Sequence, residues 1–417
     1  MNTSPGLLPA RAAVAVFLAF AFAYFFSALL RAVTATLAPA LTAEFTLNAR
    51  DLGLLAGGYF LGFAATQLPL GTWLDRHGPK KVIIAFLAVA VLGCIAFAAA
   101  TSFSWLLVAR ILCGAGVSAC LMAPLTGFRR WFDPAIQLRA NAWMLMTGSF
   151  GMLASTLPVQ WLMPLVGWRP LFLALAVLIA LSMAVIAWKV PAWQAAPVDA
   201  SAVPSPGVAS GYAGVWRHPY FLKVAPVGFF SYGGMIAMQT LWAGPWMVRV
   251  AGYAPLDAAT GLFFINLSML VTFWGWGMVS PALTRRGITT DRLITWGLPS
   301  SFVVMGAIIA AGSHAGAAAW ALFCVSSTFM SLAQPAVGMA FPAALAGRAL
   351  SAYNLVIFGG VFVVQWGIGL LIDAFAALGL GATASFQCAL GVFLACSIAS
   401  YAWFLAAKSH NPQSSTP

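Results

Sequence analysis

Charged side chains are scarce in this sequence: only 7% of its 417 residues are Asp, Glu, Lys or Arg, and 62% are hydrophobic. A soluble domain carries about 25% charged residues, so a water-soluble enzyme and a disordered regulator are excluded. The six cysteines are not grouped in any loop, which argues against a secreted disulfide scaffold. Long apolar runs approach the roughly 20 residues that cross a bilayer, and outer-membrane barrels lack such runs. The sequence therefore predicts an all-α polytopic membrane protein.

The apolar runs number twelve, and the basic residues orient them. With both termini in the cytoplasm, most of the 20 Lys and Arg fall in cytoplasmic loops, whereas Arg50, Arg169 and Arg249 lie on the other side. The positive-inside rule explains this bias. The net charge of +12 is therefore a topology signal, no nucleic-acid partner is expected, and a bacterial-type inner membrane is the expected location. The predicted transmembrane helices are 12–39, 50–74, 80–100, 104–128, 138–163, 168–189, 221–248, 257–283, 291–312, 316–344, 349–375 and 382–407.

A segment rich in Pro, Ala, Ser and Gly divides the chain near its middle. We predict a cytoplasmic linker at 190–220 between an N-terminal six-helix half (12–189) and a C-terminal six-helix half (221–407), with cytoplasmic tails at 1–11 and 408–417. The halves resemble each other. Aligning the loop LDRHG (74–78) with LTRRG (283–287) also aligns Arg139 with Arg348. Secondary transporters with such parallel repeats hold their substrate between the repeats, near mid-membrane.

The loop after the second predicted helix reads Gly71-Thr-Trp-Leu-Asp75-Arg76-His-Gly78-Pro-Lys80-Lys81. We call residues 71–81 the signature loop, because they resemble the G-x-x-x-D-R-x-G-x-K/R-K/R signature of the major facilitator superfamily. The resemblance covers essentially all of 12–407. Asp75 follows a helix C-terminus, where that helix's own dipole disfavours it, so we expect it to serve a basic partner or another helix's N-terminus. Gly71 is expected to allow close approach of a helix.

The resemblance implies that the signature loop pairs across the two halves and latches the outward-open state. It assigns conformational roles to Gly71, Asp75, Arg76 and Gly78, and we extend them to the repeated Arg139 and Arg348. The alternative is that the basic residues of the loop only set topology. Membership would imply a two-half fold that works by alternating access and usually acts as a monomer.

Arg110 begins a second motif, Arg110-Ile-Leu-Cys-Gly114-Ala-Gly116, which is similar to the family's R-x-x-x-G-x-G element. An arginine inside a span costs about 2.5–3.5 kcal/mol on insertion scales, so it is expected to face protein or water. The resemblance implies a role in gating or proton transfer, and a structural arginine bonded to carbonyls is the alternative. The span-five signature of drug/proton antiporters is absent from 147–158, which disfavours a multidrug exporter without excluding one.

Arg31 is the residue most informative about substrate, because it lies within the first predicted helix and that helix holds no acidic residue. A buried cation needs a partner, and a substrate anion would supply one. The position is similar to that of the substrate arginine in organophosphate/phosphate exchangers and anion:cation symporters. Span seven lacks the second arginine of the phosphate exchangers, so a monoanion such as a carboxylate is favoured. The alternatives are a backbone-bonded or snorkelling Arg31.

Polar residues within the spans are expected to support binding, and the candidates are Tyr59, Tyr232, Gln239 and Asn354. Trp242 and Trp246 either line the same cavity or belong to an interfacial aromatic belt. No carboxylate or histidine at mid-span marks a proton relay; Asp373, late in span eleven, is the one acidic residue that could lie within the membrane. This pattern favours uniport, exchange of anions, or entry of a proton with the substrate.

We therefore predict a carrier of a small organic solute, with an anion such as a carboxylate as the expected substrate. No nucleophile–base or metal constellation indicates an enzyme, and no cofactor is expected. Three alternatives stay open: an exporter of drugs or metabolites, a copper importer suggested by the pairs Met144/Met146 and Met235/Met238, and a non-transporting membrane sensor.

Overall fold

A computed structural model describes residues 7–193 and 212–407, and within them the chain is helical with no β-strand. The central part of the predicted linker (194–211), the C-terminal tail from 408 and residues 1–6 lie outside the described residues. Ten helices, and one pair of helices joined at a 44° bend, are long and apolar enough to cross a membrane. Gly78 interrupts the helix Gln67–Ala98, so that helix contributes to two spans. Twelve spans result within the described residues, as predicted.

The predicted bounds agree with the helices to within a few residues. Span one is Ala10–Phe45, span two is Ala49–Ala65 continued by 67–77, and span three is 79–98. Spans four, five and six are Phe103–Trp131, Pro134–Ala154 with Leu157–Val166, and Trp168–Lys189. Spans seven to twelve are Pro219–Arg249, Pro255–Arg285, Thr290–Ala311, Ala317–Met339, Ala343–Ala377 and Ala382–Ala406. A short helix, Tyr212–Trp216, precedes span seven.

Glycines end several helices in a backbone conformation that other residues rarely adopt. Gly78 has φ +78° and Gly287 has φ +72°, and a glycine adopts this region without steric cost. The alignment that matches LDRHG with LTRRG pairs these two glycines. The repeated loops therefore share a backbone conformation as well as a sequence pattern.

Two of the first spans break opposite each other. The α-helical hydrogen bonding of span two is interrupted at Thr66 and that of span four at Ser118, and the Thr66 hydroxyl donates a hydrogen bond to the Ser118 hydroxyl over 2.7 Å. The same Thr66 oxygen lies 2.9 Å from the carbonyl of Phe63. Breaks are tolerated within a membrane where side chains satisfy the freed backbone groups.

The chain packs into two compact units that do not follow the midpoint of the sequence. One unit comprises Met1–Arg31 and Leu61–Ala209, and the other comprises Ala32–Phe60 and Ser210–Pro417. The first helix thus passes from one unit to the other just after Arg31. The later part of span one and the first part of span two belong with the C-terminal helices.

Small residues bring the helices of the first unit together. A Cβ added to Gly93 would lie 2.7 Å from the backbone nitrogen of Cys113, and one added to Gly116 would overlap the backbone of Ala90. Membrane helices pack closely at such positions because lipid offers no hydrophobic driving force between them. Large apolar side chains on the outside, such as Leu165 (79% exposed), would face lipid.

Candidate functional site

Arg31 lies in the first unit, where its side chain hydrogen-bonds the Tyr24 side chain. Its guanidinium carbon is 5.7 Å from the centre of the Phe63 ring, within range of a cation–π interaction. Gly148 of span five lets that helix approach, because a Cβ there would lie 2.6 Å from the Tyr24 ring. Tyr24 was missed from the sequence, although it precedes Arg31 by two helical turns and so shares its face. The phenol thus orients the guanidinium within span one.

Arg110 is 1% exposed within span four, as expected of an arginine that faces protein. It acts electrostatically on the neighbouring thiols of Cys94 and Cys113, whose sulfur atoms are 3.9 Å apart. Gly114 and Gly116 are buried on the same helix. The gating role that the resemblance implies for Arg110 stays a prediction.

Two of the predicted binding residues, Tyr232 and Gln239, lie in π-helical segments of span seven. The segments are Gly228–Tyr232 and Met238–Trp242, separated by a single α-helical turn. π-Helix is rare in proteins and is frequently found at functional sites. The sequence did not predict these segments, and span seven packs closely on its neighbours beside them. Gly228, for example, lies under Tyr353, and a Cβ there would be 2.6 Å from the Tyr353 hydroxyl.

Side-chain amides from several spans of the second unit form hydrogen-bonded pairs. Gln239 Nε2 donates to Asn266 Oδ1 over 2.9 Å, and Gln365 Nε2 donates to Thr240 Oγ1 over 3.0 Å. The buried Gln365 Oε1 has no hydrogen-bond partner among the described residues. A polar group buried without a partner costs about 1–3 kcal/mol, so Gln365 Oε1 is an acceptor with a cost left unrelieved in this arrangement.

The remaining predicted binding residues also lie in the second unit. Asn354 of span eleven is 5% exposed and accepts a hydrogen bond from Gln334 Nε2 over 2.8 Å. Tyr59 is fully buried, with its ring 5.1 Å from that of Phe60. Tyr59, Tyr232, Gln239 and Asn354 therefore share one compact unit, and Arg31 belongs to the other.

The aromatic-belt interpretation of Trp242 and Trp246 is wrong. Their exposures are 1% and 0%. Trp242 Nε1 donates to the carbonyl of Gln365 over 3.1 Å, and Trp246 Nε1 donates to the carbonyl of Ala315 over 2.9 Å. Both indoles are structural parts of the second unit, because their N–H groups bond backbone carbonyls of other spans inside the protein.

Span two begins against the end of span eleven, at the face opposite the signature loop. Asp373 Oδ1 accepts a hydrogen bond from the Ala49 N–H over 3.1 Å, and Oδ2 accepts one from the Arg50 N–H over 2.8 Å. These N–H groups have no partner within their own helix, and the positive end of its dipole favours a carboxylate. Asp373 thus does for span two what the sequence led us to expect of Asp75. No local sequence signal links residues so far apart in the chain.

Glycines seat the same two helices against each other. A Cβ on Gly53 would overlap the carbonyl of Gln365, and one on Gly369 would overlap the carbonyl of Ala49. A Cβ on Gly57 would lie 3.0 Å from the Phe362 ring. The Asp373 cap and the close glycine contacts thus hold the start of span two against the end of span eleven.

A cavity of about 190 Å³ lies at this same face of the second unit. Its wall is mostly small and apolar, and Arg249 is its one ionisable lining residue. The lining residues come from spans one, two, seven and eight: Ala35, Thr36, Ala38, Pro39, Thr42, Ala43, Leu52, Gly244, Pro245, Val248, Arg249, Pro255, Ala258, Ala259 and Leu262.

At the signature loop, Asp75 and Arg76 are exposed, as are Arg139 and Arg348. A Cβ on Gly71 would meet no described atom within 4 Å, and Asp75 makes no hydrogen bond or ion pair with the described part of the chain. The latch that the resemblance implies for these residues therefore stays a prediction. Gly78 is buried under Trp193, and a Cβ there would overlap the indole.

Long, broken, apolar helices that bury polar amides and an arginine are the architecture of a secondary transporter. The sequence matches the Major Facilitator Superfamily over residues 20–365. The chain therefore belongs to that superfamily, as the motifs at Gly71–Lys81 and Arg110–Gly116 indicated. Family and fold both point to a transporter rather than an enzyme.

Solved structures show the same fold along the whole chain. A bacterial homologue of the human lysosomal transporter Spinster, in an inward-facing and unoccupied conformation, is 16% identical with a TM-score of 0.79; the likeness covers 96% of this chain and 98% of that one. A D-xylose–proton symporter is 13% identical with a TM-score of 0.78, and the coverages are 96% and 99%. At these identities the likeness establishes the fold alone.

Curated relatives match in shorter segments. Multidrug resistance protein MdtM of Salmonella typhimurium is 30% identical over 206 residues, which are 44% of this chain and 48% of that protein. The 4-hydroxybenzoate transporter PcaK of Pseudomonas aeruginosa is 29% identical over 150 residues (36% and 33%). The probable sulfoacetate transporter SauU of Cupriavidus necator is 28% identical over 156 residues (36% and 35%). Each match spans about half or less of the relative's length.

Proposed function

We propose that this protein moves a small organic anion, with a carboxylate as the first candidate, across a membrane by alternating access. The observation that carries the proposal is Arg31, held within span one by the neutral hydroxyl of Tyr24 and the face of Phe63. These two contacts orient the guanidinium within the span, and arginine binds carboxylates in a bidentate geometry. Two of the relatives are named as transporters of 4-hydroxybenzoate and sulfoacetate, which are anions.

Tyr59, Tyr232, Gln239 and Asn354 are proposed to complete the binding site. Gln239 and Asn354 each hold a hydrogen bond to another amide, from Gln239 to Asn266 and from Gln334 to Asn354. A solute with several polar groups would replace these bonds with its own, at little net cost, since the amides are satisfied in both states. Coupling to a proton or to an exchanged anion is part of the proposal.

Alternating access requires the outer ends of spans two and eleven to separate when the site opens to that face. The contacts that must break are the two hydrogen bonds from Asp373 to the start of span two and the glycine packing beside them. Asp373 is therefore proposed as part of the conformational machinery. Under the predicted topology this face is the outer one.

The test is ligand-dependent thermal stabilisation of the purified protein by a panel of carboxylates, sulfonates, neutral solutes and lipophilic cations. We expect carboxylates to raise the melting temperature and Arg31→Ala to weaken that binding by about tenfold to a hundredfold, since a hydrogen bond to a charged group contributes about 1.5–3 kcal/mol. Tyr24→Phe should weaken it less. Arg129→Ala removes an equal charge from an exposed position and should bind as the native protein does. Unchanged binding by Arg31→Ala would overturn the anion proposal.

A drug exporter is the second candidate, favoured by the match to multidrug resistance protein MdtM. The missing antiporter signature in span five weighs against it. Stabilisation by lipophilic cations, unaffected by Arg31→Ala, would decide in its favour.

A further inference from the structure

The first residues after span six lie against the signature loop instead of leaving the helical bundle. Lys80 Nζ donates a hydrogen bond to the carbonyl of Val190 over 2.8 Å. Three residues later the Trp193 indole covers Gly78, so closely that a Cβ on Gly78 would overlap the ring. Glycine suits position 78 for two reasons: the backbone has a φ of +78°, and the Trp193 indole occupies the space that a Cβ would need.

Two residues at the end of span four also contact Trp193. The guanidinium carbon of Arg130 lies 4.8 Å from the centre of the indole, and the Trp131 ring stands edge-on to it with centroids 6.2 Å apart. A guanidinium over a tryptophan face is the strongest ordinary form of cation–π contact. We call the predicted linker, 190–220, the connecting segment. Two basic residues, Lys80 and Arg130, thus contact its first residues.

The far end of the connecting segment is also fastened, within the second unit. The helix Tyr212–Trp216 places Val215, fully buried, in the core cluster that contains Tyr220 and Phe221. Burial raises the pKa of Tyr212, whose side chain also hydrogen-bonds Ser351 and lies near Arg348. The chain that joins the two halves is thus held at both described ends, each beside a basic residue at the signature-loop face.

We propose that Trp193 is a positioning residue that anchors the connecting segment to the signature loop. The anchor comprises Val190 and Trp193 on one side, and Gly78, Lys80 and Arg130 on the other. It sets the conformation of the signature loop around Gly78 and Lys80.

Trypsin cleavage after Lys189 reports whether the anchor is formed. Val190 is 2% exposed and its carbonyl is bonded to Lys80, so the peptide bond after Lys189 must open before a protease can bind it. Cleavage then follows the population of the open form. We expect Trp193→Ala and Arg130→Gln to be cut there about 5- to 30-fold faster than the native protein, the change that a loss of one or two kcal/mol produces. The product beginning at Val190 is quantified by mass spectrometry.

Arg129→Gln is the matched control, because it removes the same charge from the adjacent, exposed position. It should be cut at the native rate, and Trp193→Phe, which keeps an aromatic face, should recover part of the protection. Gel filtration confirms that each variant is folded. Equal rates for Trp193→Ala and the native protein would overturn the anchor. This readout needs no substrate, so it stands apart from the anion proposal.

The positioning role has its own readout in transport. With any solute found to be carried, Trp193→Ala should lower the maximal uptake rate at an unchanged half-saturating concentration, because the residue touches the signature loop and not the binding residues. Arg129→Gln should change neither value. Native uptake by Trp193→Ala would show that the contact is structural only.

Discussion

Several of the few charged residues within the helices have a specific setting. Asp373 lies at a helix N-terminus, Arg31 bonds a tyrosine, and Lys223 pairs with Asp291 over 2.7 Å. The Tyr220 hydroxyl donates to the same Asp291 carboxylate over 3.0 Å. In a low-dielectric interior a charge is tolerated only with such partners, which explains why so few are present and why each is informative.

His218 provides a prediction about pH at the residue scale. It precedes span seven, its ring lies 4.3 Å from the Phe341 ring, and desolvation lowers its pKa. In the unfolded chain the histidine pKa is about 6.5. On acidification the unfolded chain binds the proton first, so the free energy of unfolding falls as the pH drops below that value. We expect the melting temperature to be lower at pH 5.5 than at pH 7.5, with part of the loss due to His218.

The measurement is the melting temperature in one detergent across this pH range. His218→Gln should show a shallower fall than the native protein. His314→Gln, which alters an exposed histidine, should keep the native slope. A native slope in His218→Gln would mean that other groups cause the acid sensitivity.

At the scale of elements, spans two and eleven depend on backbone contact. The carbonyl of Gln365 occupies the space that a Cβ on Gly53 would need, and the carbonyl of Ala49 occupies the space that a Cβ on Gly369 would need. Close approach of this kind gains dispersion energy along the contact and excludes larger side chains. Gly367 lies two residues before Gly369 on span eleven, and a Cβ there would meet no described atom within 4 Å. Substituting valine at Gly369 and at Gly367 therefore separates the effect of helix packing from the effect of helix propensity.

We expect Gly369→Val to weaken the closed arrangement of spans two and eleven, because overpacking costs about 1–3 kcal/mol and the cost falls only on the state in which these helices touch. A cysteine placed at Ala259, in the wall of the adjacent cavity, should then react with a membrane-impermeant maleimide at least about fivefold faster. Gly367→Val should leave the rate unchanged. If both variants label alike, the packing does not control access.

At the scale of the whole molecule, sequence repetition and compactness divide the chain differently. The sequence pattern repeats about the linker, but 32–60 packs with 210–417. The cause is one set of contacts between span two and span eleven. Asp373 caps the start of span two, and glycines on both helices let the two backbones approach closely. The compact units and the sequence repeats of this chain therefore do not coincide.

The orientation of the whole molecule is predicted from its loops. Basic residues gather at the signature-loop face, and the positive-inside rule places that face in the cytoplasm. We expect a fluorescent protein fused after Ala407 to fluoresce in bacteria, and alkaline phosphatase fused there to be inactive. Phosphatase inserted after Gly252, in the loop between spans seven and eight, should be active. The reverse pattern would overturn the topology.

The sequence by itself determined the membrane class, the twelve helices and the superfamily. These follow from apolar run length and from loop motifs, which are local and survive without tertiary contacts. It also singled out Arg31 and Arg110, because a charge in an apolar run is visible in one dimension. Their functional roles, with those of Tyr59, Tyr232, Gln239 and Asn354, stay predictions.

Only the tertiary structure decided which groups meet. It paired Asp373 with the start of span two and placed Trp193 against Gly78 of the signature loop. It also shows the π segments of span seven and the burial of Trp242 and Trp246. Each of these depends on contacts between helices distant in sequence, whose register is set by glycine seams and hydrogen bonds across the bundle. Hydrophobic periodicity says which residues avoid water, but in a membrane lipid is as apolar as the core, and so it does not say which helix faces which.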